Sequence, residues 1–153
     1  MADNEVAVQN WSRATFLAYQ EMSRDNIDAA REHYIDALNA ALELRDTAPI
    51  LYAQTQVAFA AVSLISEDSE TALYFLVDVL PIYRKYYVSN HWRMIELYHL
   101  LANAHHMCGL FDDAQQWYEL TLKLLGGFGD DHPDKRVVLQ NYRALLGERK
   151  AVA

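Results

Sequence analysis

A pattern of small, aromatic and aliphatic residues recurs three times along this chain, with a spacing of 42 residues. An alanine marks the pattern most clearly, at Ala30, Ala72 and Ala114, and a leucine follows each alanine at the same distance. A spacing that returns in register is typical of repeat folds, in which one small structural unit stacks on the next. This repeat constrains the fold more than any other feature of the sequence.

Each repeat predicts two antiparallel helices. In the first repeat, Ala14 and Ala18 follow helical spacing, and Ala30, Tyr34 and Leu38 do the same in a second segment. Small side chains let two helix axes approach to about 8 Å, so we expect the helices to cross at the alanines. The alanines expected at the three crossings are Ala18 and Ala30, Ala60 and Ala72, and Ala102 and Ala114.

Short polar breaks separate the predicted helices. Gly109 suits the left-handed position that ends a helix, and the Ser and Asp residues of the breaks suit the start of the next helix. We predict an N-terminal tail over residues 1–10 and a single domain over residues 11–150. The predicted helices are 11–24, 28–44, 50–65, 69–87, 91–107, 112–125 and 134–149. The three repeats cover about 11–44, 50–87 and 91–125, and helix 134–149 is expected to cap them.

Composition agrees with an all-α fold. Hydrophobic residues make up 52% of the chain and charged residues 22%, which favours a folded soluble protein over a disordered or membrane-embedded one. The chain has only 5 Gly and 3 Pro, whereas a sandwich or barrel needs a turn about every 8–12 residues. The composition therefore disfavours an all-β fold.

Charge, hydropathy and cysteine content bear on the partners and the cellular compartment of the protein. The net charge of −8 disfavours nucleic acid and anionic lipid, although residues 83–93 mix aromatic with basic side chains. The most apolar stretch, 57–65, is far shorter than the roughly 18 residues that span a bilayer. The single cysteine, Cys108, and an N-terminus without a leader pattern lead us to expect a cytoplasmic protein.

The order Leu-Ala, then Ala-xxx-aromatic-xx-Ala-Leu, resembles the tetratricopeptide repeat family, whose usual period is about 34 residues. The longer period here resembles the kinesin-light-chain class of these repeats. The segment Gly129-Asp130-Asp131-His132-Pro133-Asp134 is similar to the turn between repeats of that class. The resemblance covers about residues 11–150. It implies an α-solenoid of three hairpins plus a capping helix, wound as a right-handed superhelix whose first helices line a concave groove.

By this resemblance, the groove is the expected binding site for a peptide or an amphipathic helix. The groove positions are Ser12, Thr15, Tyr19 and Met22; Gln54, Val57, Ala61 and Leu64; and Glu96, His99, Asn103 and His106. Val57, Ala61 and Leu64 are expected to form an exposed apolar strip there, which suits a hydrophobic segment. Members of the family that hold a peptide carboxylate use Lys, Arg and Asn, and of these only Asn103 is present here.

The sequence leaves the occupant of the groove open. A partner segment, the capping helix or a second copy of the chain could each fill the apolar strip. Residues 1–133 carry a net charge of −11 and residues 134–153 a net charge of +3, an asymmetry that could guide self-association. We expect a non-enzymatic adaptor, scaffold or chaperone-like module that binds a protein or peptide; the alternatives are a homo-oligomeric structural solenoid and a regulatory sensor.

Metal, cofactor and catalytic sites are not expected. His99, His105, His106 and Cys108 lie on one predicted helix, but neighbouring histidines there point about 100° apart and cannot share a metal. The aspartate clusters at 112–113 and 130–134 lack the loop of a calcium site and suit helix starts instead. No nucleophile, phosphate-binding or zinc-protease motif occurs in the sequence.

Overall fold

The computed structural model of the chain describes residues 2–153, which form seven α-helices. The helices are α1 (Ala2–Ser23), α2 (Ile27–Glu43), α3 (Pro49–Ile65), α4 (Ser69–Tyr86), α5 (Trp92–Met107), α6 (Phe111–Leu124) and α7 (Pro133–Val152). The prediction of an all-α protein is confirmed. None of the helices in the described range is long and apolar enough to cross a membrane.

The first helix differs from its predicted bounds. Residues 2–10, expected as a tail, are the first turns of α1. Ala7 is buried and lies seven residues before the buried Ala14, so the apolar face of α1 extends toward the N-terminus. A single small residue gave too weak a signal for this extension to be found in the sequence.

The chain divides into two compact units, Met1–Tyr86 and Tyr87–Ala153. In the first unit, α1 packs against α2, α2 against α3, and α3 against α4. In the second unit, α5 packs against α6, α6 against α7, and α7 also touches α5. Within each unit the helices thus pack in sequence as antiparallel hairpins, consistent with a helical repeat array.

The alanines expected at the helix crossings lie in the cores of these units. Ala18, Ala30, Ala60, Ala72, Ala102 and Ala114 have no exposed surface. In the second unit, Ala102 of α5 and Ala114 of α6 belong to one buried cluster with Tyr118, Val138 and Leu145. Larger side chains at these alanines would separate the two helices of a hairpin.

The 42-residue period is also present in the backbone. Asp25, Glu67 and Gly109 are the residues with positive φ, at 60°, 60° and 73°, within the described range. Each follows the end of a helix, and the two hydrogen bonds of a Schellman turn close that end. In the first turn, Asp25 N–H donates to Met22 O and Asn26 N–H to Glu21 O. In the second, Glu67 N–H donates to Leu64 O and Asp68 N–H to Ser63 O. In the third, Gly109 N–H donates to His106 O and Leu110 N–H to His105 O. Glu67 thus adopts the conformation that glycine favours.

Candidate functional site

In the first unit, the predicted groove positions differ widely in exposure. Tyr19 is 70% exposed, whereas Val57 is only 4% exposed. The expectation that Val57 forms the exposed middle of a groove is therefore wrong. The reason is that α3 packs against both α2 and α4, so more of its surface is covered than a single helix pair would cover. Thr15, Met22, Gln54, Ala61 and Leu64 are partly buried, and Ser12 is exposed.

In the second unit, α7 lies along the predicted groove face of α5. Asn141 Nδ2 of α7 lies 3.2 Å from His99 Nε2, and Glu148 Oε2 of α7 lies 3.1 Å from His106 Nε2. Asn141 Nδ2 also donates to Asn103 Oδ1 at 3.1 Å. The helix expected as a cap thus covers three of the four α5 positions, which is one of the occupants that the sequence left open.

A polar network joins these side chains. Asn103 Nδ2 lies 3.4 Å from His99 Nε2, on the nitrogen that Asn141 also approaches. Two amide donors at one ring nitrogen require that nitrogen to be unprotonated. Burial lowers the pKa of His99, and the nearby Asp134 offsets part of this effect. His99 therefore acts as a neutral acceptor that ties α5 to α7.

Tyr118 of α6 extends the network to a third helix. Its hydroxyl donates to Asn103 Oδ1 at 2.7 Å and lies 3.3 Å from His106 Nδ1. Burial raises the pKa of Tyr118, and the charge of Glu148 adds to the effect. The hydroxyl therefore stays protonated and keeps its role as a donor. The network holds α5, α6 and α7 in one arrangement.

Beside this network, a pocket of about 420 Å³ opens between α5, the loop after α6, and α7. We call it the α5–α7 pocket. It is lined by Trp92, Ile95, Glu96, His99, Leu125, Phe128, His132, Asp134, Val137 and Val138. Leu125 and Val138 are buried at its base, whereas Trp92, Phe128 and Val137 are half-exposed. Of the predicted groove positions, Glu96 and His99 contribute to this pocket.

The charged groups that line the α5–α7 pocket are both acidic. They are Glu96 and Asp134, and neither is in an ion pair within the described part of the chain. Desolvation raises the pKa of Glu96, and Arg93 partly opposes this. The His132 ring lies against the Phe128 ring at a tilt of 41°, with ring centroids 4.5 Å apart, and His132 Nδ1 is buried without a hydrogen-bond partner.

Three other residues that the sequence raised as candidate ligands have structural contacts. His105 Nδ1 lies 2.7 Å from the backbone oxygen of Leu101. Asp112 pairs with Arg149 and Asp130 with Lys135, each at 2.7 Å. Across residues 2–153, no three His, Cys, Asp or Glu side chains are grouped so as to hold a metal ion.

Within the basic and aromatic stretch 83–93, Tyr83 is fully buried and belongs to the core. Arg84, Lys85 and Tyr86 are exposed at the end of α4. Trp92 and Arg93 start α5, and the Arg93 guanidinium carbon lies 4.4 Å from the centre of the Trp92 ring. Tyr83 is therefore a core residue, residues 84–86 form an exposed helix end, and Trp92 belongs to the wall of the α5–α7 pocket.

The groove positions predicted from the sequence do not include Asn141, Phe128 or Val137. The period contained a signal for Asn141, because it lies one repeat after His99, at the position that Val57 occupies in the second repeat. Phe128 and Val137 had no such signal, since they come from the loop after α6 and the first turns of α7. Their position depends on how that loop folds back against α5.

No protein-family model matches the chain. No curated protein matches it either.

Proposed function

We propose that this chain is a non-enzymatic interaction module that binds a segment of another protein, built as a tetratricopeptide-like helical array of the kinesin-light-chain kind. The repeated Schellman turns and the buried alanines support the array. In this proposal the three hairpins form a right-handed solenoid that α7 caps. Binding requires no cofactor and no reacting group.

The observation that carries the proposal is the α5–α7 pocket. Trp92, Phe128 and Val137 present half-exposed apolar side chains around a concave space of about 420 Å³. Aromatic residues around a pocket with a few polar groups are typical of recognition sites. A protein segment could place one apolar side chain against the buried Leu125 and Val138.

The network behind the pocket supports tight recognition. His99 forms part of the pocket wall, and Asn103 and Asn141 both contact its Nε2. A wall that is already fixed loses little conformational entropy when a ligand binds. The pocket is thus preorganised on the α5 side.

The test is a selection of short peptides from a random displayed library with the wild-type chain, followed by binding assays on two variants. Val137→Glu places a carboxylate in the pocket, and we expect it to lower the affinity of selected peptides at least about tenfold. Val77→Glu, at a similarly exposed valine of α4, is the matched control and should bind as the wild type does. Equal binding by Val137→Glu and wild type would refute the proposed site.

A second candidate, self-assembly, has its own observation. Phe16 and Tyr19 of α1 are 60% and 70% exposed, whereas Ala58 and Ala61, one period later, are partly buried. The outer face of α1 is thus an uncovered apolar surface that a second copy could pack against. Light scattering after size exclusion separates the two candidates. An adaptor stays monomeric, whereas an assembly module forms oligomers. The double variant Phe16→Glu/Tyr19→Glu should dissociate such oligomers into monomers.

A further inference from the structure

The inference concerns the chemistry of the segment that the α5–α7 pocket receives, and it rests on the proposed function. We propose that the pocket selects a lysine or arginine side chain of a partner protein, presented next to an apolar residue. The cation would lie between the carboxylates of Glu96 and Asp134, and the apolar residue against the buried base of the pocket.

The first support is the balance of charge. Glu96 and Asp134 contribute two carboxylates to the lining, and no Lys or Arg belongs to the lining. A partly desolvated carboxylate gains more from an incoming cation than an exposed one, because the effective dielectric constant around it is lower. Glu96 is exposed to solvent as a whole residue, but its carboxyl lies in the pocket lining, where partial burial raises its pKa.

The second support is that the nearby cations of the chain are engaged elsewhere. Lys135 pairs with Asp130 at 2.7 Å and donates to Phe128 O at 2.9 Å. Arg136 donates to Asp131 O at 2.9 Å. Arg93 lies against the ring of Trp92 and only weakens the effect of burial on Glu96. Apart from the influence of Arg93 on Glu96, the two carboxylates of the pocket are therefore left for a ligand.

The third support is the aromatic wall. Trp92 and Phe128 line the same space as the two carboxylates, and the faces of aromatic rings attract cations. Trp92 already interacts with one guanidinium, that of Arg93. His99 is a neutral acceptor here, as its two amide donors require, so it adds no positive charge that would oppose a cation. An anionic ligand would find no Lys or Arg partner in this lining.

Small probes test the inference directly. We would titrate the chain at pH 8 with hexylammonium, 1-hexanol and hexanoate, which share an apolar body and differ in charge. Binding is followed through the indole N–H signal of Trp92 in nitrogen–proton correlation spectra, assigned with Trp92→Phe. We expect hexylammonium to bind about tenfold more tightly than hexanol, and hexanoate to bind most weakly.

Two variants remove the charge and keep the shape. Glu96→Gln and Asp134→Asn should each reduce the advantage of hexylammonium over hexanol severalfold and leave hexanol binding unchanged, which also shows that the pocket is intact. Glu70→Gln, at an exposed carboxylate in the first turn of α4, is the control and should keep the full advantage. Equal binding of ammonium and alcohol, tighter binding of hexanoate, or no binding of any probe would each overturn the inference.

The outcome for the proposed function is separable. Peptides that bind in a Val137-dependent way but lack enriched Lys or Arg would leave the proposed function standing and refute the cation preference. An ammonium preference without any selected peptide would support a cation site and refute the binding of protein segments. Absence of both would refute both.

Discussion

The amide nitrogen of Asn141 lies 3.2 Å from Nε2 of His99, and the two residues are 42 apart in the chain. His106 and Glu148, which also contact each other, have the same separation. Residues one period apart thus meet across α5 and α7. The helix that the sequence analysis treated as a cap lies against α5 in the way that the first helix of a further repeat would.

The first prediction concerns this contact. Asn141→Ala removes the donor shared by His99 and Asn103, and we expect it to lower the free energy of unfolding by about 1–3 kcal/mol. Gln140→Ala, at the exposed neighbouring position, should change it by less than about 0.5 kcal/mol. Urea denaturation measures both. If the two variants had equal midpoints, the network would contribute nothing to stability.

The second prediction uses the left-handed turn positions. Glu67→Gly should stabilise the chain by about 0.5–1 kcal/mol, because glycine adopts positive φ without the steric cost that a β-carbon adds. Gly109→Ala should destabilise it by about 1 kcal/mol; a β-carbon there meets no atom within 4 Å, so the whole cost is conformational.

The control for the turn is Glu70→Gly, in the first turn of α4. The same exchange within a helix should destabilise the chain by up to about 1 kcal/mol. Thermal melts of Glu67→Gly, Gly109→Ala and Glu70→Gly measure the change in stability of each variant. Opposite signs for Glu67→Gly and Glu70→Gly are required, and equal signs would contradict the turn geometry.

The third prediction concerns the helix crossings. Ala72→Arg forces a long charged side chain into a site with no exposed surface, so we expect a loss of several kcal/mol or failure to fold. Ala144→Arg makes the same exchange at an exposed position of α7 and should be nearly neutral. Chemical denaturation gives the unfolding midpoints of the two variants and the wild type. A midpoint for Ala72→Arg near that of the wild type would mean that the helices do not cross at Ala72.

The fourth prediction is a pH dependence that follows from His99. Because burial lowers its pKa in the folded state, the unfolded chain binds the proton more readily once the pH falls below about 6.5. The contribution of neutral His99 is full above that pH and is lost as the pH falls. Glu96, whose pKa is raised, acts in the opposite direction at lower pH.

A comparison with His99→Gln isolates this contribution. The wild type should lose more stability than the variant between pH 7.5 and pH 5.5, which denaturant titrations at the two pH values would show. If the wild type and His99→Gln lost the same stability between the two pH values, His99 would bind its proton equally well in the folded and unfolded states.

The repeat and the buried alanines were predictable because close helix crossings tolerate few side chains, so the sequence pattern at Ala30, Ala72 and Ala114 is strict. The exposure of the first-helix positions was not predictable, since it depends on which neighbour covers them. Val57 and His99 occupy the same repeat position, and Tyr19 lies one helical turn after that position in the first repeat. Val57 is nevertheless in the core, Tyr19 is exposed, and His99 is bonded to α7. Tertiary packing, rather than local periodicity, decides that difference.

The Schellman turns at Asp25, Glu67 and Gly109 also determine how the length of this chain can change. Joining the chain after Asp25 to the residue after Glu67 would remove one whole period and leave a complete turn at the junction. A deletion made inside a helix and shorter by two residues would rotate the side chains that follow in that helix by roughly 200° and turn its apolar face to water. Insertions and deletions that preserve the fold should therefore add or remove whole 42-residue periods. The turns are the points at which shortened or lengthened versions of the chain can be joined.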